Sequence, residues 1–336
     1  MRLTVVGCSG SFPGPDSPAS CYLLEADGFR LVIDFGNGSL GALQKYCGLF
    51  DIDAVCLSHL HADHCVDLYS YSVARTYAPA GVQPAIPVYG PAGSEGRMSL
   101  IHGPDGDDGL MKRFLFETLA PGRMMIGPFD VELAHVNHPV ETFGFRFSRG
   151  GRSLVYTGDT GETEAVPALA AGADVFLSEA AFLEGPDLPP GIHLTARQAA
   201  AYASQAGVGR LVLTHLQPWN SLDDARAEAA SEFGGDLDIA RPGQVVDLAG
   251  LTPLSGGPFP ARWRLRAAAG GVGRLVCAYL RPWGSVDGAR AEAASEFGGG
   301  LGVARPGQVV DLAGLTPLSG GPFPACSRLR AATGPR

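Results

Sequence analysis

A short run of the sequence, Ser58 to His64, concentrates side chains that bind metal ions. It holds three histidines and one aspartate within six positions, and it directly follows the apolar run 54–57. A buried strand that ends in such a cluster delivers several donors to one point, and neutral imidazoles and carboxylates are the usual ligands of zinc and related cations. The alternative is a polar loop with solvated histidines. Further candidate ligands recur downstream, so we favour a metal site.

Other polar side chains follow apolar runs further along the chain. Asp159, Glu179 and His215 each stand at or just after the end of such a run. His138 lies between two apolar segments, and His193 precedes an amphipathic one. Because α/β folds gather their chemistry at the C-terminal ends of strands, we expect these residues to form one active site.

Short strands and helices must position these residues. Hydrophobic patterning predicts strands over 3–6, 21–25, 31–34, 54–58, 129–136, 143–147, 153–157, 174–179 and 211–215. Asp27-Gly28 is typical of a hairpin turn, and Thr195 is a predicted N-cap for a helix that ends near Ser204. The segment 79–128 gives weak signals, and we interpret it as a peripheral insertion.

Length and composition indicate a globular protein. A chain of 336 residues, 46% hydrophobic and 18% charged, can bury a large core in one or two domains. No apolar run approaches the roughly 20 residues that span a bilayer, and the N-terminus leads straight into a strand without the features of a signal peptide. We therefore expect a cytoplasmic protein with no membrane partner.

Cysteine usage and charge exclude other classes. The seven cysteines are widely spaced and form no CxxC pair, so neither a disulfide framework nor a thiolate zinc site is indicated. The net charge of −9 divides into +6 from Pro253 onward and −15 in the preceding residues. An acidic body repels polyanions, so extended contact with nucleic acid is disfavoured.

The last part of the chain repeats itself. Residues 208–268 reappear as 272–332 with 12 differences over 61 positions, and His215 is replaced by Tyr279. Two near-identical copies indicate a recent duplication, since a solenoid needs several repeats. We predict three regions: a hydrolase domain over 1–252, a linker over 253–271, and a degenerate, weakly packed duplicate over 272–336 that does no chemistry.

The order and spacing of the candidate ligands resemble those of the metallo-β-lactamase superfamily. The series is His59, His61, Asp63, His64, His138, Asp159 and His215. Glu179 and the run His193-Leu194-Thr195 resemble the ribonuclease Z branch. The segments 7–11, 15–20 and 138–144 resemble bacterial atypical class II cyclic-nucleotide phosphodiesterases, a likeness that covers about 1–248. The resemblance implies a four-layer αββα sandwich with two metals at its edge.

The resemblance also implies a role for each ligand. His59, His61 and His138 would hold one cation; Asp63, His64 and His215 would hold the other; Asp159 would bridge them. The implied ions are two divalent cations, Zn²⁺ or alternatively Mn²⁺. A pair of such ions activates water and neutralises charge on a phosphodiester. Asp63 would orient the water. His193, held by Glu179, would donate a proton to the departing ribose oxygen, although a surface residue at a helix cap is the alternative for His193.

The leading hypothesis is a phosphodiesterase for a small cyclic nucleotide such as cyclic AMP, with a homodimer left open. Processing of tRNA 3′ ends is the first alternative. Against it, the loop 12–20 contains Asp16 and no lysine or arginine, and only 21 positions separate His138 from Asp159, too few for a tRNA-binding arm. Other hydrolases of the superfamily and an inactive relic damaged by the duplication are the remaining alternatives.

Overall fold

The computed structural model describes residues 1–103, 109–248, 274–277 and 300–303. The chain divides into two compact units, Met1–Phe259 and Pro260–Arg336. The described strands of the first unit are β1 (Arg2–Gly7), β2 (Cys21–Ala26), β3 (Phe29–Ile33), β4 (Ala54–Cys56), β5 (Ile86–Gly90), β6 (Phe114–Thr118), β7 (Gly122–Ile126), β8 (Phe129–His135), β9 (Phe143–Arg149), β10 (Arg152–Tyr156), β11 (Val175–Glu179), β12 (Arg210–Thr214), β13 (Asp236–Ile239) and β14 (Val245–Asp247). Its helices are α1 (Ser39–Leu43), α2 (Ala62–Cys65), α3 (Asp67–Thr76), α4 (Ser94–His102), α5 (Ala165–Ala170), α6 (Ala196–Ala206) and α7 (Leu222–Ala230).

The first unit contains two seven-stranded mixed sheets with helices on their outer faces. One sheet has the order β14-β1-β2-β3-β4-β5-β6, and the other has the order β13-β12-β11-β10-β9-β8-β7. Helices α1 and α4 contact the first sheet, and α5, α6 and α7 contact the second. This is the predicted αββα sandwich, and the fold class is confirmed.

Alternating side chains of the strands form the core between the sheets. Strand β9 shows the pattern clearly, because Phe143, Phe145 and Phe147 are fully buried while Arg146 between them is only partly buried. Successive side chains of a strand point to opposite faces, so these three rings share the face that meets the first sheet. The same core cluster includes Tyr22 of β2.

Two local predictions are confirmed. The turn between β2 and β3 consists of Asp27 and Gly28, both in the left-handed region with φ of 51° and 81°, as a two-residue type I′ hairpin requires. Thr195 caps α6, and its side chain accepts from the Gln198 N–H in a capping box. The fixed start of α6 also fixes the residues just before it, which include His193.

The interpretation of 79–128 as a peripheral insertion was wrong. This segment contributes β5 and β6 to the first sheet and β7 to the second. Val88 of β5 and Ile126 of β7 are fully buried. The pattern was weak because Pro87 lies within β5, and because β6 and β7 are the edge strands of their sheets, where one side of the strand has no neighbour.

The described part of the second unit is a parallel pair of strands, β15 (Arg274–Cys277) and β16 (Gly300–Val303). The predicted linker 253–271 and the domain boundaries beside it lie outside the described residues. Among the described residues, no helix combines the length and the apolar character needed to cross a bilayer.

Candidate metal centre

The first group of candidate ligands is His59, His61 and His138. His59 and His61 follow β4, which enters the core parallel to β3 and β5, and His138 follows β8. The Nε2 atoms of His59 and His138 each lie 3.1 Å from Nδ1 of His61. Three imidazole nitrogens from distant parts of the sequence therefore meet at one point.

Hydrogen bonds on the far side of two rings define their tautomers. The His138 Nδ1–H donates to the carbonyl oxygen of Ile192, at 2.9 Å. Nδ1 of His59 lies 3.0 Å from the Ser58 hydroxyl, whose own proton is donated to Asp34. Both Nε2 atoms are thus left with a lone pair facing His61, which has at most one proton to offer. A cation between the three rings would give these lone pairs a partner.

The second group is Asp63, His64 and His215, with Asp159 between the two groups. Asp63 and His64 lie on α2, and His215 directly follows β12. Three polar atoms here are buried without a hydrogen-bond partner, namely His64 Nε2, His215 Nε2 and Asp159 Oδ1. The His64 and His215 Nε2 atoms lie 3.2 and 3.3 Å from Asp159 oxygens. Unpartnered buried donor atoms that converge in this way fit a divalent cation.

Asp159 belongs to both groups of potential ligands. It follows β10 through Gly158, whose φ of 61° and close approach to the Phe143 carbonyl leave no room for a Cβ atom. Its Oδ2 lies 3.6 Å from His59 Nε2, while Oδ1 faces His64. Burial would raise the pKa of the Asp159 carboxyl, but His215, His64 and His59 outweigh burial and hold it well below its usual range. An ionised, buried carboxylate is thereby available to two cations.

The electrostatic surroundings shift the pKa values of the histidines in this centre in opposite directions. Burial and the neighbouring imidazoles, His64 first, lower the pKa of His59, and burial and His138 lower the pKa of His61. Burial also opposes protonation of His64, but the carboxylates Asp159, Asp34 and Asp63 outweigh it and raise its pKa. The protein thus concentrates negative charge around His64, where a divalent cation can replace the proton.

Sequence reasoning missed Asp34, which holds a ligand in place. Asp34 directly follows β3, is fully buried, and has a φ of 56°. His64 Nδ1, the Ser58 hydroxyl and the Tyr156 hydroxyl all lie 2.7–2.8 Å from its Oδ2. A carboxylate on the outer nitrogen of a metal-binding histidine fixes the ring and strengthens its basicity. Its signal was available, since it too is a polar residue at the end of an apolar strand.

Ser20 was also missed, and it orients His215. Its hydroxyl lies 3.0 Å from Nδ1 of His215, so that Nε2 is the atom left for the centre. The backbone of His215 is left-handed, with φ of 57°, and Gly10 packs so closely on its carbonyl that a Cβ atom at Gly10 would lie 2.1 Å from that oxygen. The loop around residue 10 therefore needs glycine to reach the centre.

Glu179 and His193 form a pair beside the two ligand groups. Glu179 ends β11 and is fully buried, and its two carboxylate oxygens accept from the backbone N–H groups of Thr160 and Ala181. His193 Nδ1 donates to Glu179 Oε1 at 2.9 Å. Burial opposes protonation of His193, but the charge and hydrogen bond of Glu179 outweigh it and raise the pKa of His193 to about 9. The Glu179 carboxylate thus favours the protonated form of His193.

The structure thus brings together every predicted site residue. The two ligand groups and the pair are His59, His61, His138 and Asp159; Asp63, His64, Asp159 and His215; and Asp159, Glu179 and His193. The predicted role of each residue stays a prediction. What the geometry shows is a set of clusters that can hold metal, beside a hydrogen-bonded acid–histidine pair.

Comparisons with known proteins define the class. The family model described as "Beta-lactamase superfamily domain" matches residues 30–216, so the chain belongs to the metallo-β-lactamase superfamily. This span includes every candidate ligand, and two of the relatives described below are named as hydrolases, a probable metallo-hydrolase and a ribonuclease Z. The predicted family is confirmed.

Three relatives illustrate the relationship. The uncharacterized protein ML1173 of Mycobacterium leprae is 42% identical, over 74% of this chain and 89% of the relative. The probable metallo-hydrolase YhfI of Bacillus subtilis is 30% identical over 73% of this chain and 99% of its own length, and its crystal structure aligns with a TM-score of 0.65. A ribonuclease Z of Mycobacterium bovis is 29% identical over 71% of this chain and 95% of that enzyme.

Proposed function

We propose that this protein is a di-metal phosphodiesterase that hydrolyses a small cyclic nucleotide such as cyclic AMP. The observation that supports the proposal most directly is that Asp159 belongs to both groups of candidate ligands, while His193, held by Glu179, lies beside them. Hydrolysis of a phosphodiester needs both charge neutralisation at phosphorus and a proton for the leaving oxygen. The two parts of this site meet these two needs.

The candidate ligands would be divided between two cations. His59, His61 and His138 would hold one Zn²⁺-type ion, Asp63, His64 and His215 the other, and Asp159 both, with Mn²⁺ as the alternative metal. When bound, the two ions would supply an activated water and neutralise charge on the phosphate. Asp63, a buried carboxylate of the second group, would also orient that water.

His193 acts on the other side of the scissile bond. Its Nδ1 is committed to Glu179, so its Nε2 is the atom that gives a proton to the ribose oxygen as the P–O bond breaks. Glu179 keeps the ring in the required tautomer and stabilises its protonated form. Bound cations would lower the raised pKa of His193 toward neutrality, where a general acid is most effective.

A small substrate is favoured over tRNA. Residues 1–252 carry a net charge of −15, and the loop 12–20 has no basic side chain. Strands β9 and β10 fill most of the chain between His138 and Asp159, where a tRNA-binding arm would need to emerge. The ribonuclease Z relative keeps tRNA 3′ processing as the second candidate. An inactive relic is disfavoured because His215, the one candidate ligand in the first copy, lies together with Asp63, His64 and Asp159.

One substrate comparison tests the proposal. The metal-loaded protein should hydrolyse 3′,5′-cyclic AMP and bis(p-nitrophenyl) phosphate and leave pre-tRNA intact. Asp159→Ala should lose at least one metal ion and nearly all hydrolysis, and Glu164→Ala, an exposed acidic neighbour, should lose neither. Cleavage of pre-tRNA without cyclic AMP hydrolysis would select the second candidate. Full activity of Asp159→Ala with two metals retained would remove Asp159 from the centre.

Several further assignments stay proposals. They are a small-molecule substrate as the partner, a homodimeric state, a cytoplasmic location, and a catalytic domain over 1–252. Light scattering coupled to size-exclusion chromatography would measure the oligomeric state directly.

A further inference from the structure

A cavity of about 310 Å³ opens beside the proposed general acid. His193 forms part of its wall, together with Phe182, Asn137, Glu162 and the turn Pro189-Pro190. This volume is in the range of small-ligand sites in proteins. His193 lines this cavity, whereas none of the residues of the two ligand groups does.

Phe182 gives the cavity an aromatic wall. Its ring meets the His193 imidazole edge to face, with centroids 5.1 Å apart. The backbone of Phe182 is fixed on both sides, because its N–H donates to the Leu194 carbonyl and its own carbonyl accepts from Ala196. The Phe182 ring is therefore held beside the His193 imidazole, and it is only half-buried, so that part of it is available to a ligand.

Another part of the wall is polar and contains the exposed side chain of Glu162. The Asn137 Nδ2 group donates to the Glu162 carbonyl at 3.2 Å, which ties the two residues together. Within the described part of the chain, the Glu162 carboxylate has no hydrogen-bond or ion-pair partner. No lysine or arginine lines the cavity among the described residues. Such a wall can accept hydrogen bonds from amino groups, and its negative charge repels a second phosphate.

We propose that this cavity binds the nucleobase of the cyclic nucleotide, with Phe182 stacked on the base and Glu162 accepting from an exocyclic amino group. The inference rests on the proposed function. The leaving oxygen must come within hydrogen-bond reach of His193, and the ribose that carries this oxygen also carries the base. An uncharged heterocycle with an amino group matches a cavity lined by an aromatic ring and a carboxylate.

The cavity also selects against larger substrates. A dinucleotide or an RNA strand would bring a further phosphate toward Glu162, which has no cationic neighbour in the wall to offset it. A cyclic mononucleotide has its one negative charge at phosphorus and none on the base. The preference is therefore for a mononucleotide with an aminopurine base.

The stacking assignment is tested with two matched probes. These are 3′,5′-cyclic AMP and the same cyclic phosphate of deoxyribose without a base. Phe182→Ala should raise KM for cyclic AMP by about 10-fold to 100-fold and leave the base-less probe unchanged. Phe182→Leu keeps the volume but loses the ring, and should show the same selective loss, whereas Phe182→Tyr should restore wild-type KM. Leu115→Ala, an exposed apolar residue on β6, is the control.

The amino-group assignment uses a second pair of probes. Wild type should favour cyclic AMP over the cyclic phosphate of purine riboside, which lacks the amino group, and Glu162→Ala should abolish this preference. Glu164→Ala is the matched control. Equilibrium dialysis of cyclic AMP with the metal-free protein gives a readout independent of hydrolysis, and Phe182→Ala should weaken this binding by a similar factor.

The outcomes are separable. Equal losses of Phe182→Ala and Phe182→Leu on both probes, or an unchanged preference in Glu162→Ala, would overturn the base assignment while cyclic AMP hydrolysis by wild type still supports the proposed function. If wild type hydrolyses the base-less probe and not cyclic AMP, both proposals fail.

Discussion

The two copies of the repeated segment each form a parallel pair of strands at equivalent positions of the repeat. In the first copy, Arg210 of β12 pairs in register with Asp236 of β13. In the second, Arg274 of β15 pairs with Gly300 of β16, each 64 positions later, and both pairs are parallel. The segment therefore encodes the strand pair and its register locally.

Burial and chemistry come from outside the segment. Strand β12 lies between β11 and β13, its Leu211, Val212 and Leu213 are fully buried, and it ends at His215. The residues that meet His215 in the centre, Asp63 and Asp159, precede the repeat. In the second copy Tyr279 stands where His215 stands in the first. A copied strand pair is thus not a copied site, because a site needs donors from several distant strands.

Exchanging the ligand between copies should have the largest effect. His215→Ala and His215→Tyr should each reduce hydrolysis to background and lower the metal content from about two ions per chain to about one, since a neutral phenol does not replace an imidazole on zinc. Metal analysis and cyclic AMP turnover measure both. Tyr279→His is the control and should change neither quantity. Retained activity in His215→Tyr would mean that the ligand is supplied elsewhere.

His193 has no counterpart in the second copy, because the repeat begins at residue 208. His193→Ala should keep its metals and lose about 10²–10⁴-fold in rate on cyclic AMP. It should lose much less on bis(p-nitrophenyl) phosphate, whose leaving group needs little protonation. Steady-state rates on the two substrates measure the split, and equal losses would contradict the proton-donor role.

The His193–Glu179 pair should make the stability of the metal-free protein depend on pH. The pKa of His193 rises from an ordinary 6.5 to about 9 on folding. Its contribution to the free energy of unfolding is therefore complete below pH 6.5 and is lost as the pH rises through about 9. Urea unfolding of chelator-treated wild type and His193→Gln at several pH values isolates this term. A constant difference between the two proteins would show that the pair does not titrate on folding.

Replacing Asp236 of the first copy, which corresponds to Gly300 in the second, should lower the stability of the protein only slightly. Arg210 and Asp236 form an ion pair at 2.6 Å, but their side chains are 39% and 53% exposed. We expect Asp236→Ala to lower the free energy of unfolding by less than about 1 kcal/mol, and Asp236→Gly by somewhat more because glycine weakens a strand. Urea unfolding measures both. A loss of several kcal/mol would mean that Asp236 has a further role in the first copy.

Removal of the second copy should have the smallest effect. Every candidate ligand lies at or before His215, and β14 ends at Asp247. A chain that ends at Gly250 should therefore keep the activity of the full chain, measured as cyclic AMP turnover at equal metal loading. An inactive or insoluble product would show that later residues are part of the fold.

The fold class and the candidate site were both predictable because each depends on a local pattern. Apolar runs ending in His, Asp or Glu identified the strands that carry Asp159, Glu179 and His215. The strands β5, β6 and β7 were missed, and so was their membership of the two sheets, because short strands near a sheet edge lack a strong alternating pattern. Strands β13 and β14 were not predicted either. Strand β14 pairs with β1, which is distant in sequence, and β13 pairs with β12. Both pairings are seen only in the assembled sheets.

The sequence by itself determined the turn at Asp27-Gly28 and the cap at Thr195, since each depends on residues close together in the chain. It also indicated the ligand set, because His, Asp and Glu recur at the ends of apolar runs. Only the tertiary structure decided that Asp34 and Ser20 orient His64 and His215, and that Phe182 and Glu162 share a cavity with His193. Those contacts join residues up to 195 positions apart. Their geometry depends on how two sheets pack, and side-chain periodicity contains no information about which distant strand ends will meet.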